Sequence, residues 1–398
     1  MFMKKIYLVA TTFLLLATLL ALAPDACFAA SYLNDSITAQ QLRSKYDTAK
    51  YGGTKVKILI VPGHDQSNWG TQYKDLKEAD LNYQSALELY KLLSKQKEFE
   101  VIMARDALKY RTEIASYLET KREEIKNFIS EHRQAMDVML FANVVKSNDE
   151  VFHNQANSET INTLYGINKW SNENGVDLII HLHSNDTPER KYNRAGKYNG
   201  FVVYVPDNQF SNGKASIELG GSIFNQISNY FGISNMPKES GGVVEDQKLI
   251  ALGALNTLKP AAVLIEYGYI YEPQITRSWV RSVYLKEMAT QTALGIENFF
   301  KSSDKTDLAT LPYKWTSDFK KGAKGYRDVF ALQLALTAEG FYPPKGKTKN
   351  DCPINGNYGS CTSTAIASFQ KSFGLKANGT SVDKNTRAKL NALYYNKN

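Results

Sequence analysis

Of the five histidines in this 398-residue chain, three stand where apolar segments end, and that placement is the first sign of chemistry. His64 follows KVKILIVPG, while His181 and His183 close the stretch IIHLHSND. Val56 to Val61 is a run of β-branched and aliphatic residues stopped by Pro62 and Gly63, which reads as a short buried strand. His64 is therefore expected at the carboxyl edge of a sheet, where open α/β sheets hold their ligands. His181 and His183, two apart on a strand, point to one face. Glu78 opens an amphipathic helix 14 residues after His64, and Glu266 ends a third apolar strand in AAVLIEYGY. Charged groups at the ends of apolar strands are costly unless paired or bound to something. Two His and one Glu with a fourth position left to water make a hydrolytic zinc site, and a further Glu can act as general base. Strand geometry does not choose between His181 and His183. Other chemistries lack their residues: no G-x-S-x-G and no G-x-x-x-x-G-K-[ST] occurs, and the cysteines left after a leader both lie near the C-terminus.

The elements that must position these residues alternate along the chain. A strand to His64 is followed by a helix from about residue 76 to 93, then a strand at 99–103. Apolar residues at helical spacing in the charged stretch 107–150 predict one or two surface helices. A helix is expected at 162–174, strands at 177–183 and 200–205, a helix at 217–231, a strand at 260–268 and a closing helix at 283–300. The alternation predicts an α/β domain over 55–300, an open, twisted, mostly parallel sheet with helices on both faces. Residues 30–54 read as a polar, turn-rich lead-in and 301–324 as a linker. In 325–398 a weak repeat, FALQLAL against ASFQKSF, sets a Gln beside an apolar helix face in each half, which predicts a small all-α domain.

The net charge of +8 is concentrated there: residues 318–398 hold 13 basic and 5 acidic residues. A concentrated basic surface favours an anionic polymer as partner. Residues 1–29 carry Lys4 and Lys5, an apolar run, Pro24 and the small residues Cys27 and Ala29, the layout of a secretory signal peptide. Export argues against nucleic acid and for a cell wall, with membrane contact only through an uncleaved leader. In an oxidising compartment the two remaining cysteines, Cys352 and Cys361, read as one local disulfide.

The fragments ILIVPGHD, KEADLNYQSALELYKLL, VIMARD, DLIIHLHSND, GFVVYV and PAAVLIEYGYI occur in an order that resembles the zinc-dependent N-acetylmuramoyl-L-alanine amidases. The resemblance implies zinc ligands at His64, Glu78 and His183, the last from the His-x-Asn of His183, Ser184 and Asn185, and a catalytic role for Glu266. His181 and Asn185 then become neighbours that support the ligands. Two positions depart from the family pattern: Val61 stands where Asp is usual and Asp65 where Gly is usual. The 107–150 stretch is long for the family, either a plain solvated insertion or a lid placing Glu113, Glu119 or Glu123 at the open zinc position. Residues 325–398 resemble a helical peptidoglycan-binding domain, through DVFALQLAL, INGNYGSCTSTAIASFQKSFGL and NGTSVDKNTRAKL. Together these imply a secreted hydrolase of the periplasm or cell wall that cuts the amide bond between N-acetylmuramic acid and L-alanine. Its partners would be peptidoglycan and other anionic wall polymers. The competing expectations are a zinc peptidase acting on the stem peptide and a catalytically degenerate wall-binding protein.

Overall fold

The computed structural model describes residues 35–148, 156–187, 189–302, 310–324 and 326–395. The expected leader and His153 lie outside the described residues. Six strands form the central sheet: β1 (Val56–Pro62), β2 (Phe99–Met103), β3 (Leu178–Asn185), β4 (Val202–Pro206), β5 (Val243–Asp246) and β6 (Ala261–Tyr269). Their spatial order is β2-β1-β3-β6-β4-β5. All neighbours run parallel except β4 against β6. The mostly parallel open sheet is as the sequence predicted, with β5 an addition. Its residues, VVED, carry too little apolar pattern to read as a strand alone.

Both faces of the sheet are covered. Leu178, Ile180 and Leu182 of β3 face the helices α2 (Glu78–Leu93), α6 (Gly213–Ser228) and α7 (Ser278–Lys301), through residues such as Leu89, Ile223 and Ile296. Leu59, Ile179 and Leu264 face the other way, toward α3 (Thr112–Thr120) and α5 (Ser158–Glu173), with Ile114, Ile167 and Trp170 filling that layer. Strands buried on both faces explain why β1, β3 and β6 read as continuous apolar runs. The 107–150 stretch supplies α3 and α4 (Arg122–Phe141). Met136 and Met139 of α4 pack with Val145 and Phe210 in a small cluster of their own.

The lead-in differs from expectation. It contains helix α1 (Ala39–Ala49), which Thr38 and Gln41 start with a reciprocal capping box. Leu42 and Tyr46, one turn apart, form its apolar face, and Tyr46 stacks on Phe300 at 4.7 Å. Two apolar residues in a polar segment are too few for a periodic signal, yet enough to bury one helix face.

The C-terminal segment holds α8 (Arg327–Ala338), α9 (Ser360–Ser372) and α10 (Lys384–Tyr394), with a two-stranded ladder between Phe319–Lys320 and Ser381–Val382. The repeated glutamines explain themselves here. Gln333 accepts from the backbone N–H groups of Asn355 and Gly356 at 3.0 and 2.9 Å and donates to Thr362 Oγ1 at 3.0 Å. Gln370 accepts from Asn378 and Gly379, both at 3.2 Å, and donates to Thr386 Oγ1 at 3.2 Å. Each buried amide thus satisfies a Gly-containing turn and the start of the next helix. Cys352 and Cys361 are joined by a disulfide.

This segment sits directly on the α/β layer. Phe330 of α8 meets Tyr284 of α7 edge-on with ring centroids 6.2 Å apart, and both belong to one continuous core. Trp315, in the stretch read as linker, is buried and donates its indole N–H to the Asp328 carbonyl at 3.0 Å. The segment leading into the disulfide docks too: Asn350 donates to the Ile233 carbonyl at 3.2 Å, and Lys349 donates to that of Ser228. Arg277 donates to Asn357 Oδ1 at 2.5 Å across the same seam.

Candidate metal centre and active site

The turn after β1, the start of α2 and the end of β3 meet at the carboxyl edge of the sheet. His64 takes a left-handed backbone conformation, φ 59°, directly after the strand. Its Nε2 lies 3.2 Å from Glu78 Oε2, while His183 Nδ1 lies 3.0 Å from Glu78 Oε1. One ligand atom from each of the three falls within 4.8 Å of the others, a spacing that could hold a metal ion. Two glycines make the approach possible. A Cβ at Gly63 would stand 2.2 Å from the His183 ring, and one at Gly70 would stand 2.3 Å from Glu78 Oε2. The donor set of two imidazole nitrogens and one carboxylate, in a cradle that a methyl group would fill, fits a zinc ion.

Glu78 is buried and held from several sides. Its Oε1 accepts from Asn82 Nδ2 at 3.1 Å and its Oε2 from the Thr71 N–H at 3.0 Å. Burial acts to raise its pKa, but the His64 and His183 rings beside it prevail and hold it well below the usual carboxylate range. Burial acts to lower the His64 pKa, and the Glu78 carboxylate reverses that, so it is raised. His183 is lowered, chiefly by burial.

Glu266 stands in register with His183 on the adjacent strand β6. Its Oε2 is buried and finds no hydrogen-bond partner among the described residues. Burial, with the Glu78 and Glu239 carboxylates nearby, pushes its pKa well above the ordinary value. A carboxyl group with a raised pKa beside a possible metal centre is suited to proton transfer. His181 is set apart from the cluster, its ring centroid 6.5 Å from that of His183. It pairs in register with Val61 and Leu264 in an apolar layer, where burial lowers its pKa to about 3. Asn185 donates to both oxygens of Glu239, at 3.0 and 3.1 Å.

Two functional neighbours escaped sequence reasoning. Glu239 is buried and also accepts from Tyr204 at 2.6 Å, Tyr269 at 2.8 Å and Ser234, so it fixes Asn185 behind the site. Arg105 is buried and donates to the carbonyls of Pro62, Gly63 and Ala79, at 3.1, 3.1 and 2.9 Å, which pins the His64 turn to the first turn of α2. A signal for Arg105 existed, a charged residue two positions after the end of strand β2; Glu239 lies in an irregular loop with none. The suggested lid glutamates do not join the cluster: Glu113 pairs with Arg111 at 2.9 Å and Glu123 with Lys126 at 2.7 Å, both exposed. Glu119 is likewise exposed on α3.

An open, mostly parallel α/β sheet with a His-Glu-His cluster and a second buried carboxyl group at its edge is the framework of a hydrolase. The chain belongs to the N-acetylmuramoyl-L-alanine amidase family, whose sequence profile matches residues 58–298. A second profile, of a peptidoglycan binding domain, matches residues 326–395. Among solved structures, the chain is similar to an N-acetylmuramoyl-L-alanine amidase from Clostridium difficile 630, at 20% identity over 62% of this chain and 98% of that one, with a TM-score of 0.40. It is also similar to the amidase AmiC2 of Nostoc punctiforme, at 16% identity over 62% and 98% of the two chains and a TM-score of 0.39. The amidase Ami1 from Mycobacterium smegmatis follows at 15% identity, 63% and 100% coverage and a TM-score of 0.39. No curated protein matches. Among the described residues, no helix is long and apolar enough to cross a membrane.

Proposed function

We propose that the protein is an exported zinc hydrolase that cleaves the amide bond between the lactyl group of N-acetylmuramic acid and the L-alanine of the stem peptide. The observation that carries this reading is the convergence of His64, Glu78 and His183 opposite Glu266, within a chain of the amidase family. The three residues would be the zinc ligands. A zinc ion there would polarise the scissile carbonyl and make water a better nucleophile. Glu266 takes the proton of the attacking water and returns it to the departing L-alanine nitrogen, base and then acid. Asn185, held by Glu239, and Arg105, held on three carbonyls, keep the two ligand-bearing strands in place. The basic C-terminal segment, which matches a peptidoglycan binding domain, would hold the enzyme on the wall, along with other anionic wall polymers.

The test is clearance of isolated cell walls followed by turbidity, with product analysis. A chelator should stop clearance and added zinc should restore it. Intact stem peptides bearing a free L-alanine amine are the expected products. Shortened stems would make the protein a peptidase instead, and purified protein without stoichiometric zinc would make it a wall-binding protein.

A further inference from the structure

Arg190 is the most completely engaged cation near the site, and it touches none of the candidate ligands. Its side chain is only 5% exposed, which is costly for a charge unless every donor is used. The donors are used. Nε and NH2 grip the two oxygens of Asp186 at 2.6 and 2.7 Å, and NH2 also donates to the Gln72 carbonyl at 2.8 Å and to Thr71 Oγ1 at 3.3 Å. NH1 donates to the Arg194 carbonyl at 3.3 Å. The guanidinium lies over Tyr73 and Tyr271, 5.6 and 5.8 Å from their ring centroids.

The network ties together two segments that each lead to a ligand. Thr71 donates its hydroxyl to Asp186, and its backbone N–H donates to Glu78 Oε2. Asp186 follows Asn185 at the end of β3, three residues beyond His183, and its N–H donates to Asn185 Oδ1 at 2.8 Å. Resting on the zinc reading above, we propose that Arg190 is a positioning residue for the metal centre: through Asp186 and Thr71 it fixes the N–H that orients the Glu78 carboxylate. Groups that orient a ligating carboxylate set metal affinity, because an unoriented ligand must be ordered when the ion binds. The planar fork matters as well as the charge, since only a guanidinium can serve Asp186 and Gln72 together.

The experiment uses the full chain stripped of metal, with zinc affinity measured by competition against a chromophoric chelator. Relative to wild type, Arg190→Gln should weaken zinc binding about tenfold, and Arg190→Lys should not restore it. Thr71→Val keeps the N–H but loses the hydroxyl tether. It should weaken zinc several-fold and alter the absorption spectrum of the cobalt-substituted protein, with the melting temperature of the metal-free chain unchanged. Affinities for Arg190→Gln and Thr71→Val within about twofold of wild type would overturn the proposal and leave the zinc reading intact. If Arg190→Gln does not fold, Thr71→Val decides alone. A wild type that binds no zinc would overturn both.

Discussion

At the residue scale, the four side chains proposed to act were legible because each interrupts an apolar strand or opens a helix. Their partners were not. Nothing local marks Glu239 as the acceptor of four side chains, or Thr71 as the donor to Glu78; those pairings exist only after the loops close. Val61 bears on the same limit. Where the family usually has Asp, this chain has an apolar residue in register with His181, so no carboxylate reaches the His-Glu-His cluster from that position. Glu266→Gln should retain stoichiometric zinc while lowering wall hydrolysis by roughly 10²- to 10⁴-fold, as read by zinc analysis and turbidity together. Gly63→Ala drives a methyl group into the His183 ring and should weaken zinc binding about 10- to 100-fold in a calorimetric titration, because the ring must shift off Glu78 to make room.

At the element scale, apolar runs bounded by Pro and Gly were enough to place most of the sheet, and periodicity placed most of the helices. Element α1 and strand β5 were missed because few of their residues are apolar. The 107–150 stretch reads as helical in sequence and supplies α3 and α4, and Glu113 and Glu123 remain on solvent-facing ion pairs rather than over the cleft. It does carry a pH response. His132 on α4 is largely buried, which lowers its pKa to about 4, although its ring is bonded to the Phe128 carbonyl at 2.8 Å. Below about pH 6.5 the unfolded chain binds a proton that folded His132 refuses until about pH 4, so this group's contribution is full above that window and is lost as pH falls through it. Denaturant unfolding at pH 7 and pH 4.5 should show a loss from this source on the order of 2 kcal/mol, which His132→Gln should remove.

At the scale of the whole molecule, the sequence suggested two units on a linker, and the compositional reason was sound: 301–324 is rich in Lys, Ser, Asp and Thr. Composition does not reveal that Trp315 is tied to α8, or that Phe330, Asn350 and Asn357 find partners on the α/β layer. The disulfide spans nine residues of sequence, so its removal costs about 2–3 kcal/mol of loop-closure entropy. Cys352→Ser with Cys361→Ser should lower the calorimetric melting temperature. It should also release Lys349 and Asn350 from their carbonyl partners, which proteolysis of the 345–357 loop would report.

That docked seam changes what anchoring does. A hydrolase on a slack tether samples every bond within reach, and its local concentration is the quantity that counts. A hydrolase bolted to its anchor has a fixed offset between grip and blade, like a gauge set before cutting. Each landing on the wall then presents one site rather than a neighbourhood. On the function proposed above, progress along the polymer would require letting go and gripping again, so how tightly the basic segment holds would set the pace of cutting as well as its place.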